Sequence, residues 1–233
     1  MARILLVEDD ATVRETVASY LARAGHAVDP VGDGPAALTR FVASPPDLVL
    51  LDLMLPGLGG LEVCRRMRSM RHDVPVVMVT ARGQEHERVR GLQHGADDYV
   101  TKPFSLRELE LRVRSVLRRA SAPPPKVLDV LRDGDLTVDL GARTATRGGQ
   151  PLSLTARELD LLAWLLQHPG QVWSREDLIR QVWGWEVGDA STVTVHVRRL
   201  REKVEDDPGA PMRLATVFGR GYRWDPTPPL VAG

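Results

Sequence analysis

The sequence predicts two domains: an α/β domain on a five-stranded, doubly wound parallel sheet, then a smaller α+β domain. Three observations carry this reading. Apolar runs without polar alternation, Ile4 to Val7 in the strand at residues 3–7, Leu48 to Leu51 and Pro75 to Val79, read as strands buried on both faces. Stretches with helical spacing lie between them, so strand and helix alternate five times, which demands parallel strands with right-handed crossovers. The second half abandons that alternation for short β-type runs, three helices and a terminal hairpin.

Taken in order, the strand at residues 3–7 ends in Glu8-Asp9-Asp10. Residues 11–24 place Val13, Val17, Leu21 and Ala24 at helical spacing, and Gly25 closes that helix. His26 to Val31 is a short strand, and Pro35 to Val42 a helix begun near Asp33. The strand at Leu48 stops on Asp52, and Pro56 and Gly57 take the chain out of the sheet. Leu61 to Arg71 is a helix, residues 75–79 are the fourth strand ending in Thr80-Ala81, and a helix through Val89 and Leu92 stops at Gly95. Asp98 to Thr101 is the fifth strand; Lys102-Pro103-Phe104 and a long helix from Ser105 to about Arg119 follow.

The strand ends share a chemistry. Parallel strands gather their carboxyl ends on one edge, where open α/β sheets bind ligands. Glu8, Asp9, Asp52, Thr80 and Lys102 converge there. Close carboxylates repel unless a cation joins them, and Mg2+ takes this oxygen set plus waters. With the metal on Glu8 and Asp9, Asp52 is placed to attack a phosphoryl donor, and Thr80 and Lys102 to hold the new phosphoryl oxygens.

Residues 1–119 resemble the receiver domain of bacterial two-component response regulators, through Glu8-Asp9-Asp10, Asp52, Thr80-Ala81 and Lys102-Pro103-Phe104. The resemblance implies a flavodoxin-like fold, Mg2+ on Glu8, Asp9, Asp52 and the Met54 backbone carbonyl, phosphorylation of Asp52 by a histidine kinase, and a cis bond before Pro103. It makes Tyr99 the aromatic switch that turns inward when Thr80 is drawn to the phosphate. It also implies a homodimer face with three intermolecular pairs: Arg88 with Glu108, Asp97 with Arg112, and Asp98 with Arg119.

Composition bounds the rest. The profile of 43% hydrophobic and 27% charged residues fits a soluble globular chain of 233 residues. Lys/Arg number 17 against 16 Asp/Glu before residue 120 and 14 against 15 after it, so any basic surface is local. One cysteine, Cys64, excludes an internal disulfide. No signal-peptide core and no apolar stretch near the roughly 20 residues of a membrane span are present, so a cytoplasmic protein is expected, with no membrane partner.

Residues 120–127, with Pro123, Pro124 and Pro125, read as a semi-rigid linker, and 128–227 as the second domain. Leu136 to Leu140, Arg143 to Arg147 and Pro151 to Leu154 are short strands. Thr155 and Glu158 form a capping box for a helix that ends at His168-Pro169-Gly170. Ser174 starts a second helix through Leu178, Ile179 and Val182. In a third, Ala190 to Glu205, Val193, Val197, Leu200 and Val204 form the core stripe, which puts Thr194, Val195, Arg198 and Arg199 outward, with His196 and Arg201 on the flanks. An outward valine among arginines suits a thymine methyl and phosphates in the major groove. Leu214 to Phe218 and Tyr222 to Trp224 form a hairpin with Arg220 at its tip.

Helix, helix, basic helix and hairpin make a winged helix-turn-helix, and the motifs Thr155-x-x-Glu158-Leu159, Val182-Trp183-Gly184, Val195 to Arg201 and Gly219-x-Gly221-Tyr222-Arg223 resemble the OmpR/PhoB effector domain. The resemblance assigns DNA contacts to Thr192, His196, Arg198, Arg199, Arg201 and Thr216, and contact with RNA polymerase to the loop at Trp185 to Gly188. Ser191 stands where many relatives have Arg, and Phe218 where they carry a phosphate-contacting Arg, with Arg220 nearby. The implied function is a phosphorylation-controlled transcription factor whose dimers bind tandem promoter repeats. A phosphohydrolase is disfavoured because Met54, not an acid, follows Asp52 by two residues. A DNA-binder with a vestigial receiver is disfavoured by the complete acid, Thr and Lys set.

Overall fold

The computed structural model describes residues 1–81, 95–120, 130–185 and 189–227, the side chains at 81 and 118–120 excepted. The chain divides into two compact units, Met1–Ser121 and Ala122–Gly233. The linker expected at 120–127 lies almost wholly outside the described residues, as does the helix expected through Val89 and Leu92.

The first unit runs β1 (Arg3–Val7), α1 (Ala11–Arg23), β2 (Ala27–Val31), α2 (Gly34–Ala43), β3 (Leu48–Asp52), α3 (Gly60–Met70), β4 (Val76–Ala81), β5 (Asp98–Lys102) and α4 (Leu106–Ala120). The strands form the expected parallel sheet in the order β2-β1-β3-β4-β5. Chain order reverses between β1 and β3, which opens a crevice beyond their carboxyl ends. Register brings those ends level: Val7 pairs with Leu51, Asp52 with Val79, and Ala81 with Lys102. All five β3 residues are buried, as an unalternating apolar run requires. Pro30 is accommodated because β2 is an edge strand. One face of the sheet packs Ile4, Leu48, Leu50, Val77 and Val100 against Val17 and Leu21 of α1 and Leu109 and Val113 of α4.

In the second unit, β6 (Val130–Asp133), β7 (Leu136–Asp139), β8 (Thr144–Arg147) and β9 (Gln150–Pro151) form an antiparallel sheet. There follow α5 (Ala156–Gln167), β10 (Val172–Trp173), α6 (Arg175–Leu178) continued by a π-helical turn over Ile179–Trp183, α7 (Ala190–Val204), β11 (Leu214–Val217) and β12 (Gly221–Trp224). The last hairpin gains β10 as a third strand, in the order β10-β12-β11. The capping box of Thr155 and Glu158 is formed. Two strands escaped the sequence reading. β6 has a mostly exposed pattern, and β10 has two residues, too few for a period to show. The core gathers Leu159, Leu162, Trp183, Val193, Val197, Leu200, Leu214 and Trp224.

Candidate functional site

At the β1–β3 crevice, Glu8 and Asp52 are each 3% exposed and Thr80 1%. One carboxylate oxygen each from Glu8, Asp9 and Asp52 lies within 4.8 Å of the other two. Lys102 joins two of the acids: its Nζ donates to Glu8 Oε1 and Oε2 at 2.9 and 2.8 Å and to Asp52 Oδ2 at 2.6 Å. The other Asp52 oxygen, Oδ1, accepts the Met54 amide at 2.9 Å. Among the described residues, the buried Thr80 Oγ1 has no hydrogen-bond partner.

Burial pushes the Glu8 carboxyl up, Lys102 pulls it down, Asp52 pushes it up again, and the net effect is upward. Burial works to lower Lys102, but its hydrogen bonds to Asp52 and Glu8 outweigh that and raise it. Three carboxylates against one ammonium leave two formal negative charges, the charge that one divalent cation neutralises, and all donors are hard oxygens. The residues therefore fit a divalent metal ion.

The scaffold of this site includes residues the sequence reading passed over. Arg14 on α1 donates from Nη1 to the carbonyls of Glu8 and Asp9 at 2.6 and 2.9 Å, fixing the loop that carries both acids. Asp10 is committed elsewhere: its side chain caps α1 at the Val13 amide. Gly60 opens α3 against the back of the site, where a Cβ would stand 2.1 Å from the Asp52 carbonyl oxygen. Lys102–Pro103 is cis. Tyr99 on β5 is 8% exposed.

The expected dimer face is only partly a surface. Asp97 is 1% exposed, and its Oδ2 accepts Arg68 Nη2 at 2.5 Å and the Val76 amide at 2.9 Å. It is therefore part of the interior here and is not presented to a second chain. Asp98 is fully buried, 3.5 Å from Arg112, which also bonds Glu108 at 3.0 Å. Arg88 and the Arg119 side chain lie outside the described residues.

The second unit narrows its own candidate set. On α7, Thr194 and Arg198 are exposed, whereas Thr192, Val195, His196 and Arg199 are buried. Arg199 points inward to Glu158, with Nη2 2.7 Å from Oε1, while Lys203 reaches Oε2 at 2.5 Å. Burial pushes Glu158 up, but those two cations outweigh it and hold the carboxyl below its usual value. His196 donates from Nδ1 to the Thr192 carbonyl at 2.8 Å and meets the Trp183 ring edge-on. A wheel drawn at about 100° per residue places Cα atoms; it does not follow a long arginine folding back across its own helix. The outward placement of Arg199 is thus corrected; Val195, placed outward by the same wheel, is also buried, and Thr192 and His196 are likewise withdrawn from the accessible surface.

The hairpin is fastened to this helix. Arg201 donates to the Leu214 carbonyl at 2.9 and 2.6 Å and to Thr216 Oγ1 at 2.7 Å. Glu205 accepts the amides of Met212, Arg213 and Leu214. The guanidiniums of Arg175 and Arg201 lie 5.1 and 5.9 Å from the Tyr222 ring centroid, and the Tyr222 hydroxyl is 3.4 Å from Thr194 Oγ1. Arg175 and Tyr222 sit beside the exposed α7 residues through tertiary contacts, which no helical or strand period signals. Arg220 is exposed at the tip.

Comparison with known proteins follows the same division. Residues 4–114 match the model of the response regulator receiver domain, and 149–224 that of the transcriptional regulatory protein C-terminal domain. The chain is 46% identical over 226 residues to the sensory transduction protein RegX3 of Mycolicibacterium smegmatis, covering 96% of this chain and 99% of that one. It is 46% identical over 225 residues to the DNA-binding response regulator MtrA of the same organism, covering 96% and 97%. Among solved structures, DrrB of Thermotoga maritima, an OmpR/PhoB homolog, aligns at a TM-score of 0.52 with 31% identity over 97% of this chain and 99% of that one. A RitR mutant aligns at 0.78 with 26% identity over 97% and 100%.

Proposed function

The chain belongs to the OmpR/PhoB-type response regulators, which join a receiver to a DNA-binding domain, and from that premise we propose that Asp52 is its phosphoacceptor and that phosphorylation drives dimeric binding to tandem promoter repeats. The observation that carries the reading is the contact of Lys102 with both Asp52 and Glu8, at the strand edge where the Thr80 hydroxyl has no partner among the described residues. As a carboxylate, Asp52 attacks the phosphorus of a kinase phosphohistidine. The new P–O bond forms as the P–N bond breaks, and the electron pair returns to the imidazole nitrogen. Lys102 passes from Asp52 Oδ2 to a phosphoryl oxygen, and Thr80 Oγ1 donates to another.

Glu8, Asp9, Asp52 and the Met54 carbonyl would hold Mg2+, which when bound supplies positive charge beside the phosphoryl oxygens. Drawing Thr80 toward the phosphate makes room for Tyr99, which links Asp52 to the face of Glu108 and Arg112, with the buried Asp98 holding Arg112 from behind. Receivers meeting there, with Arg88 and Arg119 contributing, set two α7 helices about one helical turn apart on DNA. Thr194, Arg198, Arg201, Thr216 and Arg220 form the DNA surface, and the loop at 185–188 meets RNA polymerase. The protein then works as a regulator in the cytoplasm rather than as a turnover enzyme. No described helix is long and apolar enough to cross a membrane.

The test is sizing and duplex binding before and after phosphorylation of the full chain. Dimer formation with tighter binding to a two-repeat site than to a single repeat is expected. A phosphorylated chain that stays monomeric and binds both sites equally would contradict the dimer model.

A further inference from the structure

Phe218 is 93% exposed, the most exposed large hydrophobic side chain among the described residues of the second unit. It stands at the tip of the β11–β12 hairpin, whose last pair is Val217 with Gly221. The tip is therefore Phe218, Gly219 and Arg220, closed by the Arg220 amide donating to the Val217 carbonyl at 2.9 Å. Gly219 has φ 70° and Gly221 φ 139°, and a Cβ on Gly221 would stand 2.0 Å from the Trp173 carbonyl oxygen. Only glycine fits that approach, so the hairpin end lies tightly against β10.

Below the tip, Arg201, Glu205 and Tyr222 bind the hairpin to α7. An aromatic ring is thus held out from a braced support, on the hairpin that Tyr222 links to the exposed Thr194. No acid lies between Leu214 and Arg223, and Arg220 stands two residues away, so the tip is cationic and apolar together. That combination complements a polyanion with a narrow groove walled by sugars.

We propose that Phe218 is a DNA contact of the wing, seated in the minor groove against deoxyribose and base edges, with Arg220 at the flanking phosphates. Apolar side chains act in this way as wedges at base steps. The contact differs in kind from a cationic one because it displaces no counterions, so its share of the affinity does not fall with salt. The inference rests on the DNA-binding reading of the second unit.

The experiment uses the full chain, phosphorylated beforehand with acetyl phosphate and Mg2+, and duplexes selected by the phosphorylated wild type from a random-sequence library. Wild type, Phe218→Ser and Phe218→Arg are compared by binding across a salt series and by hydroxyl-radical cleavage, which reports minor-groove sugars. Phe218→Ser is expected to weaken binding about tenfold, on the scale of aromatic contacts with bases, at an unchanged salt slope and unchanged melting temperature. Its protected sugars under the wing are lost. Phe218→Arg recovers affinity at low salt and steepens the slope by about 0.9. Equal affinity and an unchanged footprint for Phe218→Ser would overturn the inference while leaving DNA binding intact. A wild type that selects no duplex would remove the DNA-binding reading, and this inference with it.

Discussion

The ammonium of Lys102 stands 2.6 Å from Asp52 Oδ2 while holding both oxygens of Glu8, so one cation separates two buried carboxylates. Lys102 can leave Asp52 for a phosphoryl oxygen without becoming unpaired, because Glu8 retains it. Replacing it removes a donor from the developing negative charge. Lys102→Ala is expected to slow phosphorylation by acetyl phosphate about a hundredfold, the scale for losing one such donor, with Asp52 still the modified residue. A time course by intact mass checks this, and a variant as fast as wild type would count against the assignment.

Arg14 makes no contact with the reacting group in this account and acts through the Glu8 and Asp9 carbonyls. Groups that orient ligands from behind typically account for 10–100-fold in metal affinity. Arg14→Ala is accordingly predicted to weaken Mg2+ binding about tenfold, measured by calorimetry on unphosphorylated protein. Arg14→Lys, which can bond only as a point donor, falls between. Identical Mg2+ affinity in all three proteins would remove Arg14 from the site.

The chemistry-bearing edge was legible in the sequence because each apolar run ends on its functional residue, and a parallel sheet brings such ends together. Asp52, Thr80 and Lys102 could be read that way. Arg14 could not, since its role lies in two backbone carbonyls and a guanidinium on a helix has no period to reveal it. Asp97 was legible as a charge but not as an interior one, because Arg68, its partner, is 29 residues away on α3. Arg199 failed for a related reason: its helical position faces out, while Glu158 draws its side chain in.

That buried cluster gives a pH prediction for the second unit. Glu158 is held below its usual value, so its contribution to stability is present above the ordinary glutamate range and is lost as pH falls through the depressed value. Wild type is expected to lose melting temperature steeply in that acid window, and Glu158→Gln to lose less of it over the same window. At pH 7 the variant removes the buried carboxylate that Arg199 and Lys203 share, a defect worth about 3 kcal/mol for a buried pair. Chemical denaturation at pH 7 and a melting series in acid measure the two effects. Parallel acid curves for the two proteins would show that Glu158 does not carry the linkage.

The account turns on Asp52, and the most direct measurement is intact mass after incubation with acetyl phosphate and Mg2+, with Asp52→Ala alongside. The prediction is a gain of one phosphoryl group in wild type and none in the variant. No gain in wild type, or an equal gain in Asp52→Ala, would contradict it.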